Sequence, residues 1–122
     1  MKYMLLVYLD EQAMTEAERA RCYVDSAQLT QDLNTAGNYL HASPLHPVAM
    51  ATSVRVRDGR RLVTDGPFAE TREQLGGYYL VEAKDLDEAI GIAERIPPAS
   101  VGTIEIRPVM EIQGLPESEA RP

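Results

Sequence analysis

The apolar positions along the chain alternate between strand-like and helix-like spacing. Residues 2–9, KYMLLVYL, are apolar at nearly every position and contain no turn residue, which is typical of a strand buried on both faces. The spacing then becomes helical after Thr15, which stands three residues before Glu18 as in a capping box, and Gly37 suits the residue that follows a helix. The expected buried stripe of this first helix consists of Ala20, Tyr23, Val24, Ala27, Leu33 and Ala36.

A hairpin is predicted in the middle of the chain. Residues 38–43, NYLHAS, read as a second strand, and residues 52–57, TSVRVR, alternate strictly between polar and apolar. The Asp58-Gly59 pair then turns the chain and RRLV returns, which is the strongest short-range signal of a β-hairpin. Residues 77–83, GYYLVEA, predict a further strand.

A second helix and a last strand complete the pattern. Asp85 and Glu88 repeat the capping spacing, and Pro97-Pro98 ends the helix because proline cannot continue it. Residues 103–112 predict the last strand, and the Pro- and Gly-containing tail 113–122 is expected to be loose. The expected apolar stripe of this helix consists of Leu86, Ala89, Ile90, Ala93 and Ile96.

The order of elements predicts an α+β fold for a single domain over residues 1–112. Strand, helix, strand, inserted hairpin, strand, helix and strand describe a ferredoxin-like antiparallel sheet with two helices on one face. The first strand is apolar on both sides, so the face without helices needs a cover. A second copy across a two-fold axis is the simplest cover, and we expect a homodimer packed sheet to sheet around a central cavity.

Charge and cysteine content narrow the class of protein. The 122 residues carry a net charge of −7, which argues against a nucleic-acid surface because such a surface needs a basic patch. The one cysteine, Cys22, allows no internal disulfide and fits a reducing compartment. The first apolar run is too short to span a membrane and ends in Asp10-Glu11, so it reads as a strand and not as a signal peptide. A cytoplasmic protein that binds no membrane is expected.

Polar side chains on the uncovered face are the first candidates for chemistry. By period two, Leu40 and Ala42 face the helices, which turns Tyr39, His41 and Ser43 toward the cavity. Together with Arg107 of the last strand and Tyr78, His41 could move protons and hold an anion. The alternative is that these edge-strand residues only meet water. His46 precedes Pro47 in a loop, where it either helps to bind a substrate or is simply exposed to solvent.

The segment TDGPF, residues 64–68, supplies a carboxylate in an unusual setting. A turn aspartate normally accepts a hydrogen bond from the backbone two residues on, but Pro67 has no N–H group. Asp65 therefore either caps a short turn that begins at Pro67 or faces a pocket and pairs with a histidine or arginine. Phe68 would close the mouth of that pocket. Two histidines without a ligand cluster predict no metal site, and no cofactor is expected.

Several of these segments resemble the YCII-related proteins of the DGPF type. The strings are ASPLHP, VRVRDG, VTDGPFAETREQLGGYYLVEA, DLDEAI, AERIPPA and IEIRPV, and the resemblance covers residues 2–112. It implies a ferredoxin-like domain that dimerises as an α+β barrel. Some relatives look like lyases or dehydrochlorinases of small ring compounds, with a His–Asp pair whose histidine lies on the first helix. The first helix here, residues 15–36, has no histidine, so a pair would need His41 or His46 with Asp65.

Three hypotheses follow. In the first, the dimer binds a small metabolite in its cavity and catalyses cofactor-free isomerase or lyase chemistry. Asp65 and His41 would be its acid/base groups, and Arg107, Phe68, Tyr78 and His46 would bind the substrate. In the second, the protein is a non-enzymatic module that senses a ligand or contacts a sigma factor, because genes of the DGPF type often neighbour those of extracytoplasmic-function sigma factors. A DGPF loop that only shapes the dimer interface is a third alternative.

Overall fold

The secondary structure follows the predicted order closely. The computed structural model describes residues 1–116, so most of the predicted loose tail, 113–122, lies outside the described residues. Two short 3-10 turns, Val48–Met50 and Pro97–Ser100, supplement the main elements. The main helices and strands are β1 (Lys2–Leu9), α1 (Glu16–Ala36), β2 (Tyr39–Pro44), β3 (Thr52–Arg57), β4 (Arg60–Asp65), β5 (Gln74–Glu82), α2 (Leu86–Arg95) and β6 (Thr103–Pro108).

The strands form two separate sheets. Four of them make an antiparallel sheet in the order β2-β5-β1-β6, and β3 pairs only with β4 in a two-stranded ribbon. Both helices contribute to the single buried core on one side of the larger sheet, which confirms the predicted ferredoxin-like α+β fold. The other side of this sheet, which we call the open face, carries no helix formed by residues 1–116.

The core is built from the alternate residues of the two central strands. Tyr3, Leu5 and Val7 of β1 are buried, as are Tyr79 and Val81 of β5. Their neighbours in sequence point to the open face and are only partly buried, as the period of two requires. The helices complete the core with Leu29, Leu33, Ala89, Ile92, Ala93 and Ile96.

The ends of the helices are fixed by the residues that the sequence indicated. The Thr15 hydroxyl accepts from the Glu18 backbone at 3.1 Å, and the Glu18 carboxylate accepts from the Thr15 backbone at 2.8 Å, which completes the capping box. Gly37 closes α1 with a φ of 85°, a conformation that favours glycine. The Asp85 carboxylate accepts from the Glu88 backbone at the start of α2.

The predicted buried stripe of α1 is wrong apart from Leu33. Tyr23 and Val24 are 50% and 65% exposed, and the alanines of the predicted stripe are exposed as well. The inward face instead contains Leu29 and Leu33, with smaller or polar residues one to three turns earlier. Apolar residues are spread around this helix, so its sequence defines no single stripe and the contacts of its C-terminal half decide the face.

The stripe of α2 needs a smaller correction. Ile92 is buried, whereas Leu86 and Ile90 of the predicted set are exposed at 51% and 39%. Ala89, Ala93 and Ile96 are buried as expected. The helix is thus rotated slightly, so that the row through residues 89, 92, 93 and 96 faces the sheet.

The Gly76-Gly77 pair makes both a bulge and a close backbone approach. Val7 pairs with Gly77 but Tyr8 pairs with Leu75, so Gly76 is the extra residue of β5. A Cβ atom on Gly77 would lie 3.0 Å from the Ser43 carbonyl oxygen of the neighbouring strand. This pair therefore allows β2 to lie close to β5. The strand also begins earlier than predicted, at Gln74, and β6 ends at Pro108 rather than at residue 112.

Candidate functional site

His41 and Tyr78 form a direct side-chain pair on the open face. The Tyr78 hydroxyl lies 2.7 Å from Nδ1 of His41, and the two rings stack with their centroids 5.6 Å apart and their planes at 16°. The strand pairing explains the contact, because His41 lies opposite Leu80 and Ser43 opposite Tyr78, which makes His41 and Tyr78 diagonal neighbours. The structure therefore brings two of the predicted site residues together.

A bulge in β2 separates His41 from Tyr39. Tyr39 pairs with Val81, but the next paired residue is His41, opposite Leu80. The extra residue, Leu40, changes the alternation, so Tyr39 packs against the core instead of facing the open side as predicted. The prediction for Tyr39 is wrong because the sequence carries no sign of this bulge, whereas His41 does lie on the open face.

Arg107 lies at the opposite edge of the same face. A single row of paired residues crosses the sheet from His41 through Leu80 and Met4 to Arg107. Three strand spacings of about 4.8 Å separate the two ends, or about 14 Å. His41 and Arg107 therefore do not meet within one chain.

The β6 edge has its own small group of polar side chains. Arg107 Nη1 lies 3.5 Å from the Glu105 carboxylate, and both side chains are substantially exposed. Burial raises the pKa of the nearby Tyr8 phenol, and the charge of Glu105 and a hydrogen bond to it raise this pKa further. Tyr8 therefore keeps its proton at neutral pH and can donate it in a hydrogen bond.

Asp65 is exposed at the end of β4 and stands apart from the histidines. Nearby, the Gly66 N–H donates to the Ala51 carbonyl at 2.7 Å, and the Ser53 hydroxyl donates to the Gly66 carbonyl at 2.8 Å. Among residues 1–116 the Asp65 carboxylate itself forms no hydrogen bond or ion pair. Within the described chain Asp65 is thus joined to neither His41 nor Arg107.

The other two predicted binding residues are also at the surface. Phe68 is 81% exposed, so in a single chain it plugs nothing. His46 is exposed in the loop that follows β2. Of the six residues proposed from the sequence, all within residues 1–116, His41 and Tyr78 are the two that are joined by a side-chain hydrogen bond.

A cavity that the sequence analysis missed lies on the helix side of the sheet. It measures about 540 Å³ and lies between the N-terminal half of α1 and the strands, with Cys22, Ser26 and Tyr79 in its wall. The available signal was the row of small or polar residues at positions 22, 26 and 30 of α1, at helical spacing on the inward side. Their place on that side depends on the face of α1, which the sequence did not define.

Two side chains that line this cavity, Cys22 and Tyr79, have pKa values raised by burial. Burial raises the pKa of Tyr79, and hydrogen bonding to Ser26 partly offsets the rise. Burial likewise raises the pKa of Cys22, Ser26 again opposes the shift, and the charge of Asp25 adds to it. Ser26 therefore neighbours both groups, and both remain protonated at neutral pH.

Metal ligands and membrane-spanning helices are two further features that bear on function. In residues 1–116 no group of three or more His, Cys, Asp or Glu side chains is arranged to hold a metal ion. Over that range, the structure also contains no helix with the length and apolar character needed to cross a membrane.

The comparisons with known proteins agree with the resemblance that the sequence motifs indicate. Residues 1–113 match the family model described as the YCII-related domain. The Rhizobium meliloti (strain 1021) protein called "Uncharacterized protein R00369" is 37% identical over 114 residues, which is 89% of this chain and 92% of that protein.

Proposed function

The chain belongs to the YCII-related family, and on that premise we propose that it binds a small metabolite on the open face of the sheet. A second copy of the chain closes this site into a cavity. His41 and Tyr78 exchange a proton with the bound molecule, in a cofactor-free reaction of the isomerase or lyase type. The observation that carries the proposal is the 2.7 Å contact between the Tyr78 hydroxyl and His41 Nδ1.

The contact suits proton transfer because it occupies one nitrogen of the imidazole. With Nδ1 held by the phenol, Nε2 remains available to a bound molecule, and no side chain of residues 1–116 is hydrogen-bonded to it. The hydrogen bond also fixes the ring orientation, which an acid/base group requires. We therefore assign proton transfer to His41 and Tyr78. Asp65, expected from the sequence to work with His41, joins the site only if dimerisation brings it there.

The composition of the open face supports a second copy as its cover. Met4, Leu6 and Leu80 form its apolar centre, and each keeps part of its surface accessible in the single chain. A two-fold axis parallel to the strands would place the β6 edge of one copy over the β2 edge of the other. In that arrangement Arg107 would lie near a His41 and could hold an anionic group of the metabolite.

Two measurements test this function. Light scattering at micromolar concentration is expected to give twice the 13.5 kDa chain mass, and Leu6→Glu is expected to give a monomer because it buries a charge in the interface. Val24→Glu, on the exposed side of α1, is the matched control and should remain dimeric. A monomeric wild-type chain would overturn the proposal.

A screen of metabolites by thermal shift then tests whether a small molecule binds at the open face. Compounds that bind the native protein raise its melting temperature. A compound that acts at the open face should lose most of its shift in Tyr78→Phe and in His41→Asn but keep it in Tyr3→Phe, whose ring lies on the helix side of β1. A compound whose shift in melting temperature is the same in the wild type and in both open-face variants counts against this site.

A specific observation favours a second candidate function, the binding of a protein such as a sigma factor. Val54 and Val63 lie opposite each other in the β3-β4 ribbon and are 62% and 53% exposed, and Val56 on the same face is 63% exposed. Exposed apolar side chains of this kind mark protein contacts. Co-purification of a sigma factor with the wild-type chain, lost in Val54→Glu with Val63→Lys, would support this alternative. Co-purification unaffected by these substitutions would refute the assignment to the ribbon.

A further inference from the structure

The cavity between α1 and the sheet is separate from the open face. It lies on the side of the sheet that carries the helices, whereas the His41 side chain lies on the other and does not line the cavity. Tyr78, the hydrogen-bond partner of His41, borders the cavity as well. Its volume of about 540 Å³ falls within the range of small-molecule sites, about 300–1,000 Å³. A single chain forms it, so it does not depend on dimerisation.

The cavity exists because the inward residues of α1 become smaller toward its N-terminus. Leu29 and Leu33 fill the space between the C-terminal half of the helix and the sheet. At the equivalent inward positions of the N-terminal half stand Ser26 and Cys22, which leave that space open. Protein interiors are close-packed, and unfilled apolar space lowers stability. A leucine at either position would narrow the cavity and bury more apolar surface, so the small polar side chains found there fit a site that holds an occupant.

One group of polar side chains converges on otherwise apolar walls. Ser26, Cys22 and Tyr79 all line the cavity, and these three residues form what we call the serine cluster. Apolar side chains such as Val7 and Ile96 make up other parts of the wall. An apolar cavity with a few converging hydrogen-bonding groups is the usual form of a small-molecule site.

The charges at the cavity select for an uncharged ligand. Arg19 and Glu11 line the cavity and have opposite signs. Each is also engaged with the backbone, since Arg19 donates to the Glu11 carbonyl at 2.8 Å and the Glu11 carboxylate accepts from the Val48 N–H at 3.0 Å. The thiol and phenol of the serine cluster are neutral at pH 7. The cavity thus offers no net charge to a ligand.

We propose that this cavity is a second binding site, for a small, uncharged and largely apolar molecule with one carbonyl or hydroxyl group. The polar group bonds to Ser26 and Tyr79, and the apolar body packs against the strands and α1. This assignment is independent of the open-face function, because His41 does not line the cavity and a single chain forms its walls.

Acetophenone is a suitable probe, and benzoate is its charged counterpart of similar size. Cys22 is the one cysteine in the chain, so its rate of alkylation by iodoacetamide reports occupancy of the cavity. Millimolar acetophenone is expected to slow the alkylation several-fold and to raise the melting temperature, whereas benzoate does neither. Ser26→Ala should lower the affinity for acetophenone by about 2- to 10-fold, as expected for the loss of one hydrogen bond.

A larger side chain at position 26 gives a sharper test, because it occupies part of the cavity. Ser26→Leu should abolish the effect of acetophenone, while Gln31→Leu, a matched change on the exposed side of α1, should leave it unaltered. If Ser26→Leu does not fold, the loss of affinity in Ser26→Ala decides the question. Equal protection by benzoate, no protection by acetophenone, or full protection in Ser26→Ala would each overturn the proposal.

An experiment can distinguish a wrong cavity proposal from a wrong open-face proposal. His41→Asn should leave the response to acetophenone intact, because His41 does not line the cavity. Loss of that response in His41→Asn would show that the two sites are not separate, which would also overturn the proposal.

Discussion

Gly102 packs directly against the backbone carbonyl oxygen of Tyr8, and a Cβ atom at this position would overlap that oxygen. Because the obstacle is backbone of a central strand, it cannot move aside as a flexible side chain would. We predict that Gly102→Ala lowers the free energy of unfolding by about 1–3 kcal/mol, the usual cost of overpacking. Denaturation with urea measures the change.

A second glycine provides the control for this prediction. Gly91 lies in α2 with nothing within 4 Å of a Cβ atom, and it is exposed. Gly91→Ala should therefore raise the free energy of unfolding by about 0.5–1 kcal/mol, since alanine favours the helix. Equal effects of the two substitutions would refute the close-approach argument.

The interaction between His41 and Tyr78 is measurable without knowledge of any substrate. A double-mutant cycle with His41→Asn and Tyr78→Phe isolates the energy of the pair. We expect a coupling of about 0.5–1 kcal/mol, because a partly exposed hydrogen bond with ring stacking contributes about this much. Free energies that add within about 0.3 kcal/mol would show that the contact is not maintained in solution.

The sequence predicts best those features that depend on local chemistry. The Thr15 capping box, the glycine after α1 and the Asp58-Gly59 turn are all present, with φ values of 52° and 74° at the turn. Each rests on a few adjacent residues whose backbone preferences are strong. The overall α+β arrangement follows from them, since short connections leave few ways to order the strands.

Features that depend on tertiary contacts could not be predicted in the same way. The inward face of α1 is set by the contacts of Leu29 and Leu33 with the sheet, and the orientation of Tyr39 by a bulge at Leu40. Neither leaves a periodic signal in the sequence. The cavity depends on that face of α1, so it too was missed, whereas His41 was assigned correctly because the alternation resumes after the bulge.

Asp65 provides a test of the most conspicuous sequence motif. Because its carboxylate has no hydrogen bond to any residue in 1–116, we predict that Asp65→Asn changes the free energy of unfolding by less than about 0.5 kcal/mol, as is usual for surface substitutions. Loss of more than about 1 kcal/mol would indicate a capping role instead. If a ligand identified by thermal shift binds Asp65→Asn unchanged, Asp65 has no functional role.

The partly buried thiol of Cys22 predicts a specific loss of stability at alkaline pH. Burial raises the pKa of Cys22 above its ordinary value of 9.0, so the unfolded chain releases this proton at a lower pH than the folded chain does. The stabilising contribution is therefore complete below about pH 9 and declines as the pH rises from there through the folded-state pKa. The pKa of Tyr79 is also raised, so this residue adds a similar decline in stability, which begins near its ordinary pKa of 10.0.

Cys22→Ala separates the two contributions. Urea denaturation of the wild type and of Cys22→Ala, in steps from about pH 7 to 11, should give a constant difference in free energy of unfolding up to about pH 8. Above about pH 9 the wild type should lose stability faster than Cys22→Ala, because only the wild type carries the thiol. Tyr79→Phe serves as the matched variant, with its difference from the wild type appearing about one pH unit higher. Parallel curves for the wild type and Cys22→Ala over the whole range would mean that the thiol is as accessible in the folded chain as in the unfolded one, and that α1 does not pack as described.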